Sequence, residues 1–523
     1  MIWTNTRVAA RTALACVAAV ALSVTAAAPA MAHGDKERTQ KMRDEYSAGT
    51  NVPVLTSPNV NLVTSRPGSA GISGCFTKTA PLFVMSNLES IKVYDVKDPL
   101  NPTLTGTLPN LVFENEAMTC GERKIRRGQT ERFALVGVDL YDASPGDIEH
   151  TNVGGQELVI VDVTDPANPQ IRSRVPATTS THTVACIAET DCTYAYSAGD
   201  SGSESFSIFD LTDLDNPVEV DSDPDQAGVQ PFFSPTAAHK WNFDNAGFGT
   251  HTGFEGSSIF DVSNPRAPEL VTTTGQAGRG ENADGTPNGY NDFIHHNSFR
   301  PNASAFKPDA APSLKNGNIL LVTEEDYEQT DCAKAGSFQT WHIKRLDGTP
   351  DAIVPLDKVE LSDLGTFPVP QYAFCSAHWF DYHPSGIVSI GFYGGGTQLI
   401  DVRDPQDLKS YGHATWGASE VWDAYWVPEF NKKGRDTGQK TNLVYSVDLV
   451  RGLDVYAVDL PGGSSLTNPV SLASANPFAT FSWPEDTAPI SLVMLGLLGF
   501  GLLRRRAAQQ QAGERVPDRR VGR

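Results

Sequence analysis

At 523 residues, with 62 Asp and Glu against 41 Lys and Arg and a formal charge of −21, the chain is too long for a minimal domain and too acidic for a dedicated nucleic-acid binder. Hydrophobic residues at 40% and charged residues at 20% exclude a wholly disordered polymer. The 45 glycines and 35 prolines favour many turns and short strands over long helices.

In chain order, Arg7 and Arg11 precede an uncharged apolar run over residues 12–28, and Ala30, Met31 and Ala32 supply the small residues that a signal peptidase needs. Residues 1–32 are predicted to be a cleaved signal peptide and 33–58 a lead-in to the folded part. The cysteines agree with export. Cys16 leaves with the signal, and Cys75, Cys120, Cys186, Cys192, Cys332 and Cys375 remain as an even set without any Cys-x-x-Cys pair. That pattern predicts three disulfides rather than a structural zinc site or a thioredoxin-like motif.

A repeat organises residues 59–462. Short apolar strands end at Asp95, Asp162, Asp210, Asp261, Asp401 and, more weakly, Asp459, and a proline follows in each case: Pro99, Pro166, Pro217, Pro265, Pro405 and Pro461. A divergent copy lies at 338–347. Each copy has β-branched and aromatic residues in the strand, then a turn in which Asp caps the backbone and Pro presets φ, then room for another strand. Units of about 45–80 residues hold about four strands each, which suits propeller blades better than a solenoid. The predicted fold is all-β, a seven-bladed β-propeller.

The string Leu-Val-Ile-Val-Asp at 158–162 resembles the signature of the LVIVD-repeat β-propellers, and the likeness spans about 59–460. This resemblance implies a secreted or surface-attached propeller and says little about activity. More remotely, the chain is similar to the selenium-binding protein and methanethiol oxidase propellers, which implies histidines around a copper site.

Ahead of each repeated strand lies another candidate strand. Aligning these puts Glu116, His182, His239, His296 and His378 at one register in five consecutive units, with Gly71 and Asp423 near it in the first and last. If these strands are innermost, equivalent positions converge on the central channel. The strand that follows ends in acids, Asp139, Asp200 and Glu325 among them, and an antiparallel pair brings those ends to the same edge. The candidate channel-mouth site is Glu116, His182, His239, His296, His378 and Glu325, with the four histidines as ligands for a transition metal such as copper or zinc. The alternative is a structural ring in which each histidine bonds a neighbouring blade. His295 points away from His296 if the strand is extended, and His251, His342, His383 and His413 fall outside the register as loop or packing residues. The acidic stretches 210–215 and 221–225 lack the EF-hand order. Gly394, Gly395 and Gly396 lack a Walker lysine and are expected to form a tight strand connection.

The same alignment places Cys75, Cys120 and Cys186 at equivalent sites. It therefore suggests Cys75–Cys120 between units, Cys186–Cys192 within a hairpin and Cys332–Cys375 between units five and six.

Beyond a linker at 463–487, residues 488–503 carry no charge and are followed by Arg504, Arg505 and Arg506, as in a transmembrane anchor with a basic cytoplasmic tail at 504–523. Trp483-Pro-Glu-Asp486, the apolar span and the arginines also resemble an exosortase-type sorting signal. The expected location is the cell surface, with the propeller outside the cytoplasm. Two functions follow. The leading one is a surface-displayed binding or scaffold module for an extracellular protein or small ligand, without nucleic acid and with membrane contact only through the anchor. The second is an extracytoplasmic metalloprotein, an oxidoreductase among the options, built on the histidine site.

Overall fold

The computed structural model describes residues 54–462 apart from 68, 89, 110–115, 126–127, 139–155, 200–203, 281–288, 292, 327–328, 330, 366–374 and 417–418. Seven antiparallel sheets radiate as blades. Their first strands are Gly71–Phe76, Thr119–Lys124, Thr183–Cys186, Ala238–Phe243, Ile294–Phe299, Phe380–His383 and Val421–Phe430, for blades 1 to 7. These seven strands touch one another in ring order and are the innermost of each blade. The fold expected from the repeat is the one observed.

The blade strands are apolar on both faces because each sheet is covered on both sides by its neighbours. In the blade 2 strand Glu157–Asp162, Leu158 and Ile160 pack with Phe133, Val184 and Phe209 toward blade 3. Val159 and Val161, pointing the other way, pack with Val84, Val93 and Val136 toward blade 1. All four are fully buried. The aspartate that ends the repeat does what its chemistry predicts: its Oδ1 accepts the backbone N–H two residues on. The distances are 2.9 Å at Asp95, 2.7 Å at Asp162, 3.0 Å at Asp210, 2.8 Å at Asp261 and 3.0 Å at Asp401.

The blade that carries the weak copy ending at Asp459 borrows its outer strand. Val60–Arg66 pairs antiparallel with Gly452–Val458, so blade 7 is completed by the chain's N-terminal part. Leu55–Thr56 adds a fifth strand to blade 6 by pairing with Lys409–Thr415. The propeller thus begins inside the segment read as a lead-in, ahead of residue 59. Three disulfides join Cys75 to Cys120, Cys186 to Cys192 and Cys332 to Cys375, with Cα separations of 5.5, 5.8 and 4.8 Å. These are the pairings that the repeat alignment suggests.

Gly394–Gly396 form the hairpin between strands Ile387–Gly391 and Thr397–Asp401, where Gly396 has φ +77° and a Cβ would meet the Ala414 carbonyl at 2.5 Å. Residues 1–32 and 463–523, which carry the expected signal peptide, linker, anchor and tail, lie outside the described residues, as do Asp139 and Asp200. Among the described residues no helix is long and apolar enough to cross a membrane.

Candidate metal centre in the propeller channel

The channel strands are stitched to one another just where the aligned residues sit. Ala117 bridges Thr183 in parallel, Thr119 Oγ1 donates to the Val184 carbonyl at 2.9 Å, and Thr183 Oγ1 donates to the His239 carbonyl at 2.6 Å. Thr252 Oγ1 donates to the His296 carbonyl at 3.3 Å. These links hold Glu116, His182, His239 and His296 at one level of the ring, and Asn297 Nδ2, donating to the Phe380 carbonyl at 3.3 Å, ties in the strand next to His378.

The side chains converge. Glu116 Oε2 lies 3.0 Å from His182 Nε2, 3.5 Å from His296 Nε2 and 3.7 Å from both His239 Nε2 and His378 Nε2. Glu325, at the end of strand Ile319–Glu325 and opposite Ile294, puts Oε2 3.6 Å from His296 Nε2. Three overlapping sets have their donor atoms within 4.8 Å of one another: Glu116 with His182 and His239, Glu116 with His296 and His378, and Glu325 with His239 and His296. Ligands about 2.0–2.1 Å from a tetrahedral ion lie about 3.3–3.4 Å apart. The 3.0–3.7 Å separations between Glu116 and the four histidines bracket that spacing, and each of the three sets could hold an ion.

All six side chains are buried, with exposures of 0–3%. The site is an enclosed layer inside the channel rather than an open mouth, because aromatic residues close over it. Trp379 packs on His296 at a centroid distance of 4.1 Å, while Tyr393 and Trp422 pack on His378 at 4.5 and 5.1 Å. Burial, followed by the neighbouring imidazoles, drives the His239 and His296 pKa well below the usual histidine value, so both rings are neutral.

Orientation is fixed from outside the cluster. His378 Nδ1 donates to the Trp422 carbonyl at 2.7 Å, which leaves Nε2 facing Glu116. Tyr393 donates its hydroxyl to Glu325 Oε1 at 2.6 Å from a left-handed backbone, φ +46°, that is uncommon for a bulky residue. Neither Tyr393 nor Trp422 is marked in the sequence by the register. The only hint at Tyr393 is its place beside three glycines.

The other histidines stay out of the channel layer. His295 points to the opposite face, bonding Ser257 Oγ at 2.8 Å and the Tyr290 carbonyl at 2.6 Å. His251 stacks on Trp241 at 4.3 Å, His342 meets the Ala310 carbonyl at 3.0 Å, His383 meets Ser385 Oγ at 2.8 Å, and His413 lies on the outer strand of blade 6. Gly71 adds no donor, and a Cβ there would strike Val447 at 2.6 Å. Asp423 sits apart from the cluster and lines the cavity that continues the channel. In the two acidic stretches, Asp210 is tied to Arg266 at 2.7 Å and Asp221 accepts the N–H groups of Asp223 and Gln230.

Neither the sequence profiles of known families nor the curated proteins give a match to the chain. Among solved structures it is similar to the β-propeller domain of Cps50 (Swd1) from Myceliophteria thermophila, at 11% identity and a TM-score of 0.45, over 76% of this chain and 99% of that one.

Proposed function

We propose that this protein is an exported metalloprotein whose β-propeller holds one divalent transition-metal ion, zinc or copper, in the ring formed by His182, His239, His296, His378 and Glu116, with Glu325 as a further carboxylate ligand. One observation carries the reading: donor atoms from five separate blade entries meet at ligand-to-ligand spacing in an enclosed site. Four imidazoles and two carboxylates form a borderline donor set suited to Zn(II) or Cu(II), and two carboxylates match the charge of a divalent cation. A purely structural ring would be expected to spend its imidazole nitrogens on backbone partners, as His378 Nδ1 does on Trp422, yet His296 Nδ1 has no hydrogen-bond partner among the described residues.

Export is supported by the three disulfides and by the signal-like residues 1–32. The capped Asp turns of blades 1 to 4 and 6 support placing the chain with the LVIVD-repeat propellers. The propeller fold itself suggests a binding or scaffold module, and surface display through 488–503 would present the metal-bearing disc to an extracellular partner.

Elemental analysis of the purified full-length protein, beside a variant carrying His239→Ala, His296→Ala and His378→Ala, tests the reading. About one equivalent of zinc or copper, lost in a variant that keeps its β circular dichroism, is the expected result. Less than about a tenth of an equivalent after supplementation with both metals overturns it.

A further inference from the structure

Beneath the histidine layer the channel widens into a cavity of about 270 Å³ lined by the inner strands of blades 1, 2, 4, 5, 6 and 7. Its residues are not those of the ring. Trp379 and Lys240, each one position after a ring histidine, form the partition between the two: Trp379 packs on His296 from one side and lines the cavity on the other.

The cavity carries three lysines and three acids, and most of them neutralise one another. Lys78 pairs with Glu189 at 3.1 Å and with Asp436 at 3.3 Å, and Lys440 pairs with Asp381. Lys240 and Asp423 are the exceptions. Lys240 is 9% exposed and lies over the face of Trp379, its Nζ 4.9 Å from the ring centroid; no carboxylate is at salt-bridge distance among the described residues, and Asp423 is the charge that acts on it most. Asp423 is 5% exposed and accepts the Ala424 N–H at 2.7 Å and the Tyr425 hydroxyl, with no cation at salt-bridge distance among the described residues. Nearby, Asn242 and Asn297 bond each other at 2.9 Å.

The buried ammonium and the buried carboxyl stand on separate walls and attract one another across the cavity without a direct ion pair among the described residues, so a ligand carrying both charges would complete each of them. An aromatic face lies beside the ammonium. We infer that this cavity is a binding site for a small zwitterion, an amino carboxylate, whose carboxylate rests on Lys240, whose ammonium rests on Asp423 and whose short carbon body lies against Trp379. The volume sits just below the range of about 300–1,000 Å³ usual for larger ligands, which suits a molecule of this size. A simple anion would face Asp423 and a simple amine would face Lys240, so each charged wall rejects what the other accepts.

The test uses the purified full-length protein, both chelator-treated and zinc-loaded. Glycine, β-alanine and γ-aminobutyrate are titrated by calorimetry and tryptophan fluorescence, with acetate and methylammonium as single-charge probes. The expected result is that the zwitterion of matching length binds at least about tenfold more tightly than either single-charge probe, in both metal states. Lys240→Met and Asp423→Asn should each lose about tenfold or more of that affinity. Equal binding of acetate or of methylammonium overturns the inference, as does the absence of binding by every zwitterion. These outcomes need no variant to fold. Because the metal-free protein is also titrated, failure of the ring to take metal leaves this result readable, and failure of the cavity leaves the metal result readable.

Discussion

His378 donates its Nδ1 hydrogen to the carbonyl of Trp422, one blade further round the ring, at 2.7 Å. A backbone carbonyl can only accept, so Nδ1 carries a hydrogen and Nε2 is the ring nitrogen turned toward Glu116, 3.7 Å away. A metal ion held between Nε2 and the carboxylate would be coordinated by both. Electron paramagnetic resonance of the Cu(II)-loaded protein should therefore show superhyperfine splitting from several imidazole nitrogens, with one fewer in His378→Ala. A spectrum with no nitrogen splitting, or one unchanged in the variant, would show that the ion lies elsewhere.

Tyr393 is expected to act on the metal through Glu325. Its hydroxyl holds Oε1 at 2.6 Å, leaving Oε2 directed at His296. Removing an outer hydrogen bond to a ligand commonly costs about 10–100-fold in metal affinity. Competition with a chromophoric chelator should show a loss of that order in Tyr393→Phe, with the disulfides and circular dichroism unchanged. Wild-type affinity in this variant would mean that Glu325 is not a ligand.

Acid should destabilise the fold through histidines that are buried neutral. His251 is fully enclosed, stacked on Trp241 and bonded to Ser234 Oγ at 2.7 Å, and burial lowers its pKa to about 3. The unfolded chain takes up a proton below the ordinary value of about 6.5 while the folded chain does not. This contribution is complete above that pH and is lost as the pH falls toward 3. Urea denaturation at pH 7 and pH 4.5 should differ by roughly 2–3 kcal/mol from this residue alone. His295 and His383, both lowered to about 4 by burial, push in the same direction. In His251→Phe the pH dependence should flatten by the share of one proton; an unchanged slope would exclude His251 as its source.

The legible part of this molecule is the part written several times. Glu116 and the four ring histidines could be aligned because duplication placed a donor at the same offset before each strand, and a ring turns equal offsets into convergence. Cys75–Cys120 was legible for the same reason, Cys186–Cys192 through nearness along the chain, and Cys332–Cys375 as the remaining pair. Lys240 and Trp379 occupy the next position, where the residue changes from blade to blade, through Ala117, Thr183 and Asn297, so no register marks them. Tyr393 reaches Glu325 only through a left-handed backbone that its local sequence does not specify. The enclosure of the site by Trp379, Trp422 and Tyr393 depends on inter-blade packing, which is why the residues read as a channel mouth form a closed layer.

The disulfides should differ in what they contribute. Cys75–Cys120 closes a sequence separation of 45 residues and ties the inner strands of blades 1 and 2, whereas Cys186–Cys192 spans only 6 within blade 3. Chain-entropy restriction of the unfolded state gives about 4 kcal/mol for the first and about 2 kcal/mol for the second. Thermal unfolding of the Cys75→Ser/Cys120→Ser and Cys186→Ser/Cys192→Ser double variants should rank accordingly, the first melting lower. The reverse order would mean that native-state packing, not loop length, sets their contributions.

Ring closure concentrates on Asn59. Its Nδ2 donates to the Tyr411 carbonyl on the outer strand of blade 6 at 2.8 Å, its Oδ1 accepts the Ser57 hydroxyl at 2.7 Å, and its own carbonyl accepts the Asp459 N–H at the end of blade 7 at 2.9 Å. One residue therefore joins the two blades between which the chain must close, with Leu55–Thr56 and Val60–Arg66 pairing on either side of it. Asn59→Ala keeps the backbone bond to Asp459 but leaves the Tyr411 carbonyl and the Ser57 hydroxyl to find other partners. A loss of about 1–2 kcal/mol is expected in equilibrium unfolding. Because an opened closure bares the edge strand Gly452–Val458, hydrogen exchange should accelerate first along 452–458 and 409–415, ahead of the strands of blades 2 to 5. Uniform acceleration around all seven blades would instead mean that the propeller opens as one unit and that Asn59 is not its weak point.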